Sequence, residues 1–196
     1  MSILNRLSSL LGSSARQQPQ AQALPPIHRG DHVCIGEWKG MPIEWRVLDA
    51  DGPLLLLVTE HAICTRVFNP YDAYSLLRTD LPPAWEESEL KRWLESTFFH
   101  EAGLPAVPFL LSVKEAETYF DTPEDRRCHE IIYVPDTQVS EKTWKWWLRS
   151  SAGKYPGMSA TVDDSGVIDT EGWYNTLTAG VRPAMKVIPE IVAKHL

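Results

Sequence analysis

From Thr143 onward the chain contains only short apolar pieces, and these alternate with Gly153, Gly157, Gly166, Gly172 and Gly180. Strands this short, separated by glycine-rich turns, bury too little surface to hold one another in place. They need a cover built elsewhere in the chain, and this requirement decides what kind of fold is possible. Within the stretch, Asp163-Asp164-Ser165-Gly166 predicts a hairpin turn between Ala160–Val162 and Val167–Ile168. Gly180 to Ile188 predicts a single closing strand.

The cover lies upstream. His32 to Trp38 carries Val33, Ile35 and Trp38 inward, and Lys39-Gly40 supplies a turn. Ile43, Trp45 and Val47 then alternate with Glu44 and Arg46, the period of a half-buried strand. After the Asp51-Gly52 turn, Leu54 to Val58 is apolar on both faces and belongs in the middle of a sheet. These segments predict a three-stranded antiparallel meander. Two helices follow: Ser88 can cap one carrying Leu90, Trp93, Leu94 and Phe98, bracketed by Pro82-Pro83 and Pro105 to Pro108. Ser112 with Glu115 forms a capping box that opens a second, with Val113, Ala116 and Phe120 inward. The expected class is therefore α+β: an N-terminal antiparallel meander, two helices and glycine-rich C-terminal short strands.

Residues 1–26 differ in kind. Ile3, Leu4, Leu7, Leu10 and Leu11 fall at helical spacing, followed by a polar stretch rich in Pro and Gln that ends at Pro26. A helix of eleven residues is marginal alone in water, so the segment is expected to be disordered, folded back on the domain, or a docking peptide for a partner protein. The division expected is a short amphipathic helix over 1–11, a linker over 12–26, one domain over 27–190 and a tail over 191–196.

Composition excludes several classes. The formal charge of −7 and scattered basic residues argue against a nucleic-acid partner. No apolar run approaches the roughly 18 residues needed to span a bilayer. Cys34, Cys64 and Cys128 are odd in number and widely spaced, which suits a reducing compartment and predicts a cytoplasmic protein. Eight tryptophans in 196 residues imply a thick aromatic core or an aromatic binding surface.

Trp146-Trp147-Leu148-Arg149-Ser150, a glycine-rich middle and Gly180-Val181-Arg182-Pro183-Ala184 resemble an uncharacterised bacterial domain family with a WWLRS…GVRPA signature. Pro42 to Asp49, Trp85 to Leu94 and Phe109 to Glu117 are similar to its first strand pair and its two helices, so the resemblance runs from His28 to Ile188. More distantly, the Trp-bearing segment, glycine-rich loop and terminal Gly-Val-Arg are similar to the C-type-lectin-like fold. That fold also houses the formylglycine-generating enzymes and the variable receptors of diversity-generating retroelements. The enzymes of that group hold copper with a pair of C-terminal cysteines, whereas no cysteine follows Cys128 here. The calcium-lectin triplets Glu-Pro-Asn, Gln-Pro-Asp and Trp-Asn-Asp are also missing. The resemblance thus implies a fold, and neither oxidase nor calcium-lectin activity.

Other chemistry finds weak support in the residues. His61, Cys64, Cys128 and His129 are zinc-ligand types at poor spacing. Cys128 beside His129, flanked by Arg126 and Arg127, could have its thiol activated by positive charge, giving an enzyme of unknown reaction. Asp163, Asp164, Asp169 and Glu171 could bind calcium, but read more simply as turn and solvated-loop residues. No catalytic residue, metal or cofactor is assigned. Arg149 and Arg182 are expected to bond carboxylates or carbonyls and pin the glycine-rich segment, since a buried Arg is costly unless paired. Alternation puts Trp144 and Trp146 on one face and Trp147 on the other, with one face forming core.

The expected function is a non-catalytic recognition module. Its binding face is formed by loops near Gly153–Gly157 and Gly172–Thr178, through Tyr155, Trp173, Tyr174 and Asn175. A partner protein or a small polar ligand suits that mix. A toxin, immunity or assembly component docking through the N-terminal leucines is the remaining alternative.

Overall fold

The structure is a computed structural model that describes residues 26–70, 85–132, 138–153 and 157–196. Ile3, Leu4, Leu7, Leu10, Leu11 and Tyr155, with most of the linker, lie outside the described residues. The molecule is α+β with mostly antiparallel strands, as the patterning requires. The meander forms as β1 (His32–Trp38), β2 (Met41–Asp49) and β3 (Leu55–Thr59). Lys39 and Gly40 both take positive φ, 51° and 82°, which gives the two-residue turn whose twist matches the flanking strands.

The two helices start where their caps place them. Ser88 accepts from the backbone N–H of Lys91, and the helix Glu89–Trp93 continues through a π-helical turn, Leu94–Phe98, to Glu101. Ser112 and Glu115 complete their capping box ahead of Val113–Tyr119. A third box, Thr122 with Asp125 and Pro123 at the first helical position, opens the short helix Pro123–Arg126. Its Thr-Pro-Glu-Asp pattern was legible, but at four residues it is too short for periodicity to register.

The remaining strands are β4 (Cys64–Val67), β5 (His129–Ile132), β6 (Gln138–Thr143), β7 (Trp146–Ser151), β8 (Met158–Val162), β9 (Ile168–Tyr174), β10 (Thr178–Val181) and β11 (Ala184–Val187). They form three sheets: β1-β2-β3-β11, β4-β10-β7-β8-β9, and the pair β5-β6. The expected closing strand over 180–188 is two strands, β10 and β11, in different sheets. Pro183 carries no N–H for a ladder, so the strand breaks there.

This break is mirrored across the way. β3 pairs antiparallel with β11, and β4 pairs antiparallel with β10. The backbone N–H of Thr59 donates to Pro183 O at 2.9 Å, and that of Ile63 donates to Val181 O at 2.9 Å. One two-stranded ribbon therefore runs through both sheets and kinks between Glu60–Ile63 and Arg182–Pro183. Arg182 sits in the kink, fully buried, and donates from Nε to Thr59 O (2.8 Å) and from Nη1 to Arg126 O (3.2 Å). Its guanidinium also lies 5.2 Å from the Trp146 ring centroid and 5.3 Å from that of Phe120.

The buried side chains fall into two clusters on opposite sides of the central strands. Leu55 and Leu57 of β3 enter one cluster with Trp45, Phe68, Leu94, Phe98 and Trp147. Leu56 and Val58 enter the other with Phe120, Trp146, Leu148 and Val162. The expectation of one core face for the tryptophans is corrected: Trp146 and Trp147 are both fully buried, one on each face. Each indole N–H finds a carbonyl, Arg126 O for Trp146 and Arg66 O for Trp147. Beyond β11 the chain packs back, and Val192 is fully buried.

Among the described residues, Arg149 and Arg182 bond carbonyls and a carboxylate on the segment leading into the second helix, on that helix, on β3 and on the short helix. Arg149 Nη1 donates to Leu110 O and pairs with Glu115 Oε2, both at 2.6 Å, which ties β7 to the second helix. Burial acts to raise the Glu115 pKa, yet the bonds from Arg149 and Ser112 outweigh it and hold the carboxyl below its ordinary 4.5. A depressed folded pKa contributes stability that is present above the unfolded value and lost as pH falls through the folded one. Glu115→Gln is therefore expected to cost about 1–2 kcal/mol at pH 7 and to flatten the loss of stability below about pH 4.5, read by urea melts across pH. Arg182→Ala removes the side-chain donor to Thr59 O and one of the two to Arg126 O, and opens a cavity at the kink, so chemical denaturation should show a loss of roughly 3 kcal/mol or more.

Candidate functional site

The turn between β8 and β9 forms where the sequence places it. Asp163 Oδ1 accepts from the Ser165 N–H (2.9 Å), the Ser165 hydroxyl (2.7 Å) and the Val167 N–H (2.9 Å). Partial burial opposes ionisation of Asp163, but these bonds prevail and lower its pKa. Asp169 Oδ1 similarly accepts from the Gly172 N–H at 3.1 Å. These two carboxylates are engaged in shaping the chain. Among the described residues, no three His, Cys, Asp or Glu side chains gather to hold a metal ion. Gly166, at φ +87°, presses against the Pro123 carbonyl so closely that a Cβ would collide with it, and Arg126 Nε donates to Gly166 O. The hairpin tip is thus docked on the short helix.

Trp173 and Tyr174 are not in a loop, as expected, but at the end of β9, opposite Ser159 and Met158 of β8. β9 is the outer strand of its sheet. Its bulge against β8 and its acidic residues Asp169 and Glu171 are features that discourage edge-to-edge pairing. Trp173 is half-buried against the first core cluster, with the Lys145 ammonium 3.7 Å from its ring centroid. Tyr174 is 54% exposed, and Leu177, just beyond, is 42% exposed. Asn175 is buried, where exposure was expected. Its carbonyl accepts from the N–H groups of Phe68 and Asn69, and its own N–H donates to Gly157 O, all at 2.9 Å. It therefore joins the glycine-rich turn to the segment after β4.

Among the described residues, four buried side-chain atoms on or beside this sheet have no hydrogen-bond partner: Ser159 Oγ, Thr161 Oγ1, Trp173 Nε1 and Asn175 Oδ1. Strand alternation puts Ser159 and Thr161 on one side of β8, and cross-strand pairing puts Trp173 and Trp147 on that same side. A buried polar group without a partner is costly, and that cost falls on the side of β8–β9 that also carries Trp173. Sequence reasoning singled out Trp173 but missed Ser159, Thr161 and Lys145. A Ser-Ala-Thr-Val alternation reads as an ordinary half-buried strand, and its hydroxyls gain meaning only once the other face is also buried.

Cys128 and His129 belong to a different region, behind the ribbon kink. Cys128 is buried, and desolvation pushes its thiol pKa up to about 11 despite the nearby Arg182 guanidinium. That is the reverse of an activated nucleophile. The His61 and His129 rings meet edge to face at 6.4 Å, and burial lowers the His61 pKa. Cys34 is exposed and Cys64 half-buried. With iodoacetamide at pH 8, Cys34 should alkylate first and Cys128 last, by at least roughly tenfold given a thiol raised by burial. Fast labelling of native Cys128 would contradict this placement, as peptide mapping would reveal.

No curated protein and no solved structure matches the chain. A family model does match, over residues 106–189. The match starts after the meander and the first helix, so the likeness seen at Pro42–Asp49 and Trp85–Leu94 falls outside it. It includes both signature segments, the double tryptophan of β7 and the Gly-Val-Arg-Pro-Ala that spans the ribbon kink. Over residues 106–189, then, the chain is similar to the family described as a domain of unknown function (DUF6273).

Proposed function

We propose that this domain is a non-catalytic recognition module of lectin-like type, which binds a polar ligand or a polar segment of a partner protein at the β8–β9 end of its larger sheet. The observation that carries the reading is the state of Trp173. Its ring is half-buried beneath the Lys145 ammonium and its indole N–H lacks an acceptor, while Tyr174 and Leu177 beside it are exposed. An aromatic anchor with a spare donor, next to an exposed aromatic and an aliphatic side chain, is the composition that recognition hot spots favour. The lectin-like reading draws support from β7, where Trp146 pairs in parallel with Gly180 ahead of the Val181-Arg182 step. Three free cysteines are in keeping with a reducing, cytoplasmic setting.

A catalytic reading through Cys128 has less support, since its thiol is buried and neutral at pH 7. Docking through Ile3, Leu4, Leu7, Leu10 and Leu11 is the competing source of binding. A pull-down from native lysate separates the two, using the full chain, the full chain with Tyr174→Ala and Leu177→Ser, and a chain starting at Pro26. Both altered side chains are exposed, so the fold should be retained within about 0.5 kcal/mol. A protein retained by the full chain and the shortened chain, and lost with the double substitution, is the expected result. Capture unaffected by the double substitution and abolished by shortening would assign binding to the N-terminal leucines instead.

A further inference from the structure

The sheet β1-β2-β3-β11 ends in an apolar edge that the described residues leave exposed. β3 and β11 pair as far as Leu55 and Val187, and one position beyond that last pair stand Leu54 and Ile188, 43% and 48% exposed. Ile188 keeps the extended backbone of its strand, with φ −71° and ψ 149°. The same end of the sheet carries Ala50 just after β2, Ile191 in the helical turn after β11, and Ile27, all only partly buried against the first core cluster. Single exposed aliphatic side chains are ordinary on a protein surface, but adjacent ones with half-buried apolar neighbours form a patch.

The N-terminal segment enters at this end. Ile27 lies in line with β1, since the Gly30 N–H donates to Val47 O and Asp31 O accepts from the Val47 N–H. β3 and β11 are the second and third strands from β1, so strand spacing puts Leu54 and Ile188 about 10–15 Å from the point of entry. Residues 12–26 can span at most about 50 Å, more than enough for residues 3–11 to return to the edge. A tether of this length holds them near it at an effective concentration on the order of millimolar. A second copy or a separate protein at lower concentration competes poorly with that. Charge agrees. Residues 1–26 contain Arg6 and Arg16 and no acidic residue, while Asp49 and Asp51 lead to Leu54 and Glu190 follows Ile188, against Lys186 on β11.

We propose that Ile3, Leu4, Leu7, Leu10 and Leu11 dock on the chain's own domain, over the Leu54–Ile188 edge of the first sheet. Their spacing gathers five aliphatic side chains on one helical stripe, and eleven helical residues measure about 16 Å, close to the width of the edge from β1 to β11. The edge supplies the burial that so short a helix needs. With the leucines occupied in this way, the β8–β9 end is the surface left open to partners.

Limited digestion of the full chain with trypsin, followed by intact-mass measurement, reads the docking. Arg6 lies inside the stripe and Arg16 beyond it. Docking slows cleavage after Arg6 relative to cleavage after Arg16. Leu54→Ser with Ile188→Ser should raise the ratio of the two rates by about tenfold or more, since proteolysis follows the population of the open state. Both altered side chains are exposed, so the domain should stay folded. Leu10→Ser with Leu11→Ser, which leaves the domain untouched, should raise the ratio to the same degree. A ratio indifferent to either pair of substitutions would overturn the proposal. So would protection that fades as the full chain is diluted, because docking on a second copy depends on concentration and docking on the same chain does not.

Discussion

Arg182 sits where a single two-stranded ribbon leaves one sheet and enters another, and the rest of the structure depends on how that step is held. A ladder cannot continue through Pro183, so the Thr59 carbonyl takes its donor from a side chain, and the same side chain reaches the Arg126 carbonyl at the end of the short helix. A guanidinium supplies several donors in a fixed plane, and here it reaches both carbonyls while its face rests near Trp146 and Phe120. Lysine carries the charge but not the planar fork. The cost of burying the charge is offset by a geometry that fastens β3, the short helix before β5 and the β10–β11 step to one another.

The double tryptophan follows from the same arrangement. β7 lies between β10 and β8, with a hydrophobic cluster on either side, so consecutive residues both face core. Trp146 fills the side that Arg182 and Phe120 share, and Trp147 fills the side with Phe68 at 5.3 Å. Each spends its N–H on a carbonyl, which lets a large polar-tipped side chain be buried completely. The glycine-rich turns beyond are then held by backbone bonds to elements already in place, through Gly166 at the short helix and Asn175 at the segment after β4.

Among the described residues, buried polar groups lack partners on the Trp173 side of β8–β9 and around Arg182 at the ribbon kink. They differ in chemistry. The first comprises two hydroxyls, an indole N–H and an amide oxygen near the Trp173 ring. The second comprises one guanidinium edge, a hydroxyl and an imidazole nitrogen around the ribbon kink. Neither presents an activated nucleophile, and the buried thiol of Cys128 is held far from ionisation at neutral pH.

Local chemistry was enough to determine the meander, the two capped helices and the β8–β9 turn. The period of two over Ile43 to Val47, the Ser112–Glu115 box and the Asp163 side chain each act within a few residues, and local energetics decide them. The apolar Leu55–Val58 run announced a central strand for the same reason. What only the tertiary structure decided is everything that depends on partners distant in sequence. Pro183 in the sequence signals a break, but not that its two sides join different sheets. Arg182 announces a costly charge, but not that Thr59, 123 positions away, accepts its bond. Trp173, Tyr174 and Asn175 read alike in a polar stretch. Pairing with β8 and docking beside Phe68 then bury the third, half-bury the first and expose the second, because exposure is set by what packs against a residue and not by its neighbours in the chain.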